Sequence, residues 1–254
     1  MKLHKLCVAL SVTLAAGSAL ADITIGVSLS ATGPAASLGI PEKNAFTLMP
    51  TEIGGEKVRL IVLDDATDPT LATKNARRFV SEDKVDVMIG SSGTPASAAI
   101  AEVANEARTP LVTMSPVSLP AERNEWVFRA PQQNSVMAGA LVQHMKAKGV
   151  KTLGFIGFSD AYGEDWLNSM TKLADAAGIK IGPVERYNRT DTSVTGQVLK
   201  LVTAKPDAIL IVGSGSPAAL PQTALVERGY KGQIYQTHAV ANQAFLGVAG
   251  KAAE

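Results

Sequence analysis

Short β-branched runs alternate with stretches of helical length along almost the whole chain, and this alternation limits the fold more than any other feature. Strands are predicted over Ile23–Ser28, Val58–Leu63, Val85–Ile89, Leu111–Thr113, Thr152–Ile156, Ile181–Tyr187, Ala208–Val212 and Gln233–Tyr235. Amphipathic segments lie between most of them. In residues 134–149, Val136, Ala140, Leu141 and His144 recur at i, i+4, i+5 and i+8. In residues 164–178, Trp166, Met170, Leu173 and Ala177 recur at i, i+4, i+7 and i+11. Both spacings are helical, and Gly149 and Gly178 follow as stop signals. Such alternation predicts parallel sheets with helices on both faces. The rhythm breaks at "APQQNS", residues 130–135, and then restarts. Two α/β lobes are therefore expected, over residues 22–132 and 133–254.

Residues 1–21 read differently. Lys2 and Lys5 precede an apolar core, Leu6–Ala16, and Ala19-Leu20-Ala21 forms a small-x-small cleavage site. This is the pattern of a secretory signal peptide, and its core is too short for a membrane span of about 20 residues. The mature chain would begin at Asp22 and hold 254 − 21 = 233 residues. The single cysteine, Cys7, lies in the leader, so neither a disulfide nor thiol chemistry is expected. Losing Lys2 and Lys5 takes the formal charge from +1 to −1. A chain so close to neutral has no net electrostatic pull toward nucleic acid or a membrane surface. The expected product is periplasmic and not membrane-embedded.

Two related turns mark where chemistry belongs. "VMIGSSGTPAS", residues 87–97, and "ILIVGSGSPAAL", residues 209–220, each run from an apolar strand into small polar residues. Gly90 and Gly213 are 213 − 90 = 123 positions apart, one in each expected lobe. In open α/β sheets, ligands gather at the C-terminal ends of strands. The loops "SLSATGPAASLG", "SPVSLP", "FSDAYGED" and "THAVANQ" occupy the same kind of position. If the two lobes face each other, these loops line one cleft.

Most chemistries fail at these turns. A phosphate loop needs a lysine that neither turn carries, and "GSGSPA" lacks the last glycine of a dinucleotide fingerprint. "GSSGT" puts Thr94 where a nucleophile elbow has its second glycine. His144 and His238 are the only histidines after the leader, and only His238 falls in a strand-end loop. A secreted serine hydrolase using His238 thus stays as an alternative. No His, Cys and carboxylate cluster has ligand spacing, so neither a metal nor a cofactor is expected. Asp68 before Pro69 reads as a helix cap, with Asp64 and Asp65 finishing a strand. The turns do suit a carboxylate, which backbone N–H groups and the hydroxyls around Ser91, Ser92, Gly93 and Thr94 can hold. Simple connections between strand and helix would use the same residues.

The stretches "ITIGVSLSATGPAASLG", "DDATDPTLATKNARRFVSEDKVDVMIGSSGTPAS", "GFIGFSDAYGEDW" and "YQTHAVANQAFLGVAGKAAE" resemble the periplasmic substrate-binding proteins of branched-chain amino acid ABC transporters, the leucine/isoleucine/valine-binding family. They span the chain after the leader in family order. The resemblance implies a type I periplasmic binding fold, with two α/β lobes, a ligand in the cleft between them, an ABC permease as partner and no catalysis. It also implies that the C-terminal part of the first lobe is missing here. By family position, Ser91–Thr94 and the Ser115, Val117 and Ser118 loop hold the ligand carboxylate, and Tyr162 closes over the ligand from the second lobe. Gly213 and Ser214 match a second-lobe cleft loop that often carries an aromatic residue. His238, followed by Ala239, stands where amino acid binders carry an acid. That departure points to a carboxylate without an α-amino group, such as a hydroxybenzoate or phenylpropenoate. A branched-chain or other amino acid is the alternative ligand, and a sensor on the same fold is an alternative role.

The leader predicts that exported protein begins at Asp22. Intact-mass analysis of periplasmic protein checks this, and a mass that retains Met1 would contradict it.

Overall fold

The computed structural model describes residues 22–253, so the expected leader and its cleavage site lie outside the described residues. The apolar runs form two sheets. The first is built from β1 (Ile23–Leu29), β2 (Glu52–Ile53), β3 (Glu56–Asp64), β4 (Val87–Gly90), β5 (Leu111–Thr113) and β6 (Val127–Arg129), in the order β2-β3-β1-β4-β5-β6. The second is built from β7 (Thr152–Phe158), β8 (Lys180–Tyr187), β9 (Ala208–Val212) and β10 (Gln233–Gln236), in the order β10-β9-β7-β8. Every pairing is parallel except β2 with β3. That antiparallel edge departs from the all-parallel expectation. Its cause is Gly54-Gly55, both at positive φ, which closes the two-residue turn a hairpin needs.

The helices are α1 (Ala36–Phe46), α2 (Pro69–Arg78), α3 (Thr94–Ala107), α4 (Asn134–Ala147), α5 (Ala161–Ala176), α6 (Thr195–Ala204), α7 (Ala219–Glu227) and α8 (Gln243–Ala249). On the first sheet, Phe79, Met88, Ile100 and Leu111 form one buried layer with α2 and α3. Ile25, Val27 and Leu29 face the other way, toward Phe46 at the end of α1 and Met49 just past it. On the second sheet, β9 is buried along its full length, as a central strand covered on both faces must be. Trp166 and Met170 of α5 pack into that core beside Phe155 and Phe158.

The sequence patterns hold with local shifts. Asp68 caps α2, accepting the N–H groups of Thr70 and Leu71 at 2.6 and 3.1 Å. The fourth strand begins at Val87 instead of Val85, because a π-helical turn, Phe79–Asp83, ends α2 and leaves Val85 bonded to the Phe79 carbonyl. The face expected for α4 is also corrected. Val136 is 63% exposed, while Asn134, Ala138, Val142 and Met145 form the buried stripe. His144 is exposed on the helix border, its ring edge-on to Tyr235 and its Nδ1 3.1 Å from the tyrosine hydroxyl. Among the described residues, no helix is long and apolar enough to cross a membrane.

Trp166 is fully buried, and truncating such a side chain removes both transfer energy and packing. Trp166→Ala is expected to cost about 3–5 kcal/mol of stability. Denaturant melts of the two proteins measure it, and a loss below about 1 kcal/mol would contradict the packing described.

Candidate functional site

β3 ends at Asp64, and the chain then turns its next side chain inward. Asp65 is fully buried. Its carboxylate accepts the hydroxyls of Ser28, Ser30 and Ser91 at 2.9, 2.7 and 2.6 Å, and the Thr67 N–H at 3.1 Å. A buried carboxylate is tolerated when donors fill its lone pairs. Here those donors come from the end of β1 and from the turn after β4, so one side chain ties adjoining strand ends together. The sequence reading took Asp65 only as the end of a strand. Ser91 N–H in turn donates to Ser97 Oγ at 2.6 Å, and Ser97 meets Ser115 at 2.7 Å.

Ser92 faces the other way. Its hydroxyl oxygen accepts the Ser30 N–H at 3.0 Å and its proton goes to the Glu42 carboxyl. Glu42 lies on α1, whose first turn, Ala36–Gly39, falls in the stretch "SLSATGPAASLG" expected as a strand-end loop. Gly39 is what lets α1 lie so near β1: a Cβ there would sit 2.1 Å from the Ser30 carbonyl oxygen. Burial raises the Glu42 carboxyl above its ordinary value of 4.5; the Ser92 hydrogen bond opposes this and the charge of Asp65 adds to it.

The second sheet supplies the opposite wall. Asp160 caps α5 through the N–H groups of Tyr162 and Gly163, at 2.9 and 3.3 Å. Its other oxygen takes Arg189 Nε at 2.7 Å. Arg189 Nη1 donates to Ser214 Oγ at 3.0 Å, and the guanidinium lies 4.1 Å from the Phe158 ring centre. Tyr162 is buried and donates to Thr237 Oγ1 at 3.0 Å; Thr237 donates to the Gly213 carbonyl at 2.8 Å. Burial pushes the Tyr162 phenol up to about 12, so it is neutral at physiological pH. Burial also pulls His238 below its ordinary 6.5, which favours the neutral imidazole. His238 Nδ1 is buried and meets no partner among the described residues.

Between the walls lies a cavity of about 220 Å³. Of the residues singled out by sequence, Ser92, Gly93, Thr94, Ser115, Tyr162, Ser214, His238 and Ala239 line it. Ser91 does not, because its hydroxyl is spent on Asp65. Val117 is buried and uses its carbonyl to accept Arg129 Nε at 2.5 Å. Ser118 is exposed and bonds Asp165 at 2.7 Å, joining the two halves beside the cavity. Gly213 sits behind the wall, where an added Cβ would strike the Tyr187 hydroxyl at 2.6 Å. Ser37 also joins the halves, accepting the Ser216 N–H at 3.2 Å.

Leu38, Glu42, Gln132 and Arg189 line the cavity and were missed. Arg189 was within reach of the strand-end rule, since β8 ends at Tyr187. A larger groove, about 850 Å³, runs along α2 past Lys74, Arg77 and Arg78, but no residue of the second sheet's half reaches it. It is therefore not the cleft.

The cavity hydroxyls on the first wall are already committed. Ser92 donates to Glu42, Thr94 to the Pro116 carbonyl at 2.8 Å, and Ser115 pairs with Ser97. Arg189 differs. A guanidinium has five N–H donors, and the bonds to Asp160 and Ser214 use only some of them.

The family described as periplasmic binding protein matches residues 22–254. Among curated proteins, the chain is similar to a Leu/Ile/Val-binding protein homolog 3 of Brucella melitensis, with 28% identity over 94% of this chain and 67% of the relative. Among solved structures, it is similar to an extracellular ligand-binding receptor from Rhodopseudomonas palustris HaA2, with a TM-score of 0.91 and 53% identity over 92% of this chain and 66% of that one. It also shares its fold with a solute binding protein of an ABC transporter from Rhodopseudomonas palustris BisB5 in complex with 3,4-dihydroxy benzoic acid. There the TM-score is 0.82 and the identity 23% over 91% of this chain and 66% of that one. The chain thus spans about two thirds of the length of these relatives.

Glu42 yields a pH-dependent prediction. A carboxyl whose folded value is raised favours the protonated form, so folding loses stability as pH rises from 4.5 through the raised value. Glu42→Gln removes that loss. The variant is expected to be more stable than the parent at pH 7, with the gain vanishing below pH 4.5. Thermal melts across this range check it, and a gain that persists unchanged at low pH would contradict it.

Proposed function

The chain belongs to the periplasmic binding protein family, and from that membership we propose that it is the extracytoplasmic solute-binding component of an ABC transporter. It holds a small aromatic carboxylate, a hydroxybenzoate or phenylpropenoate, between its two halves and presents it to a membrane permease without a chemical step. The expected leader over residues 1–21 supports export.

Arg189 carries the reading of the ligand class. It is a fixed cation in the cavity wall, held in orientation by Asp160 and Ser214, with N–H groups to spare. A guanidinium matches a carboxylate with paired hydrogen bonds. The first-wall turn, favoured from sequence, already has the Glu42 carboxyl at Ser92 and donates its hydroxyls within the protein. A second anion there would meet like charge. These contacts favour Arg189 over the first-wall hydroxyls as the partner of the ligand carboxylate. The rest of the ligand meets Tyr162, His238, Leu38 and Met114, a mostly apolar and aromatic lining. A cavity of about 220 Å³ is smaller than the roughly 300 Å³ at the low end for drug-sized molecules, which fits one ring and a short acid. The complex with 3,4-dihydroxy benzoic acid supports the fold's capacity for such a ligand.

Two observations favour the second reading, an amino acid. Glu42 offers a carboxyl to an ammonium, and the Brucella melitensis relative is named for leucine, isoleucine and valine.

A thermal-shift panel tests the proposal. 4-Hydroxybenzoate and 4-hydroxycinnamate are expected to raise the melting temperature, and leucine and valine to leave it unchanged; the reverse would overturn it. Removing a hydrogen bond to a charged group costs about 1.5–3 kcal/mol, so Arg189→Gln is expected to weaken binding of the responding acid about 10-fold to 100-fold. Calorimetry measures this, and undiminished affinity would take Arg189 out of the site.

A further inference from the structure

We propose that Glu42 makes the site selective for carboxylates that carry a hydrogen-bond donor at the end remote from the acid, a phenolic hydroxyl in the first instance. This rests on the aromatic-carboxylate reading and gives Glu42 a part in it that the sequence did not suggest. Glu42 and Leu38 stand one helical turn apart on α1, and both line the cavity. One Glu42 oxygen takes the Ser92 hydroxyl, which fixes the carboxyl at the cavity wall, and the other takes no hydrogen bond among the described residues. Asp65 is bonded to Ser30 and Ser91, the neighbours of Ser92, and no cation neutralises Glu42 among the described residues: Arg189 pairs with Asp160 instead. His238, on the other wall, is held neutral by burial.

An acceptor enclosed by a ligand and given no donor loses its hydration without repayment. A ligand that brings a donor to Glu42 avoids this loss, and one with a bare ring end does not. Glu42 and Arg189 lie on opposite walls, one on a helix beside the first sheet and one just past a strand of the second. Serving both needs polar groups at separate ends of the ligand. An α-amino acid carries its ammonium and carboxylate on a single carbon, so it suits this arrangement less well than a ring with para substituents. A para-hydroxylated aromatic acid would also bridge the two halves, and its binding would favour their approach.

The test compares 4-hydroxycinnamate with cinnamate by calorimetry, on the parent protein and on Glu42→Leu. The parent is expected to bind the hydroxylated acid at least tenfold more tightly. In Glu42→Leu that ratio is expected to fall to about one or to reverse. Glu42→Gln keeps an acceptor and a similar shape; it is expected to retain part of the preference, and it guards against misfolding of the leucine variant. Equal affinity of the parent for both acids would overturn this inference alone, as would a Glu42→Leu protein that keeps the tenfold ratio. Failure of the parent to bind either acid would overturn the aromatic-carboxylate reading and this inference with it.

Discussion

A single buried carboxylate organises the first wall of the cleft. Asp65 has no room for water, and the hydroxyls of Ser28, Ser30 and Ser91 and the Thr67 N–H fill its lone pairs instead. Hydrogen bonds to a charged group are among the stronger ones in proteins. Losing donors here would leave a buried charge short of partners, a far larger cost than losing surface contacts. The ends of β1, β3 and β4 are therefore held in register by one side chain. The turn after β4 depends on that register, and so does the place where Ser92 meets Glu42.

The second wall uses an ion pair where the first uses hydroxyls. Asp160 serves as helix cap and as partner to Arg189, so the start of α5 fixes the guanidinium. The starts of α3 and α5 come together across the cleft, each just past a strand end. The cavity thus lies where both sheets deliver their C-terminal strand ends, as expected for open parallel sheets. Ser118 with Asp165 and Ser37 with Ser216 then join the halves at its rim. Under the proposed function, ligand contacts from the two sides would add to these bonds and favour the approach of the halves.

Period was the legible part of the sequence. Strand–helix alternation identified two sheets because hydrophobic spacing reports burial directly. The small polar turns identified the cleft because strand ends in such sheets carry ligand loops. Pairwise geometry was not legible. Little local marks Asp65 as a hub, since its three hydroxyl partners lie 26 to 37 residues away. Ser91 and Ser92 are neighbours of one type, yet one turns to Asp65 and the other to the cavity. Val136 and His144 fitted a helical spacing, but the buried stripe runs through Asn134, Ala138, Val142 and Met145. A spacing fixes a face without saying which face is covered. Glu42 was hidden because the stretch before it, "SLSATGPAASLG", reads as a loop, although its Gly39 is what lets a helix approach β1. Arg189 could have been found by extending the strand-end rule past β8.

In the proposed complex the ligand acid sits on the second wall, against Arg189, instead of on the serine-rich turn of the first. A crystal structure of the protein with 4-hydroxycinnamate tests it most directly. The carboxylate oxygens are expected within hydrogen-bond distance of the Arg189 guanidinium, with the phenolic hydroxyl at Glu42. A carboxylate seated on Ser92, Gly93 and Thr94, with Arg189 still bonded only to Asp160 and Ser214, would contradict it.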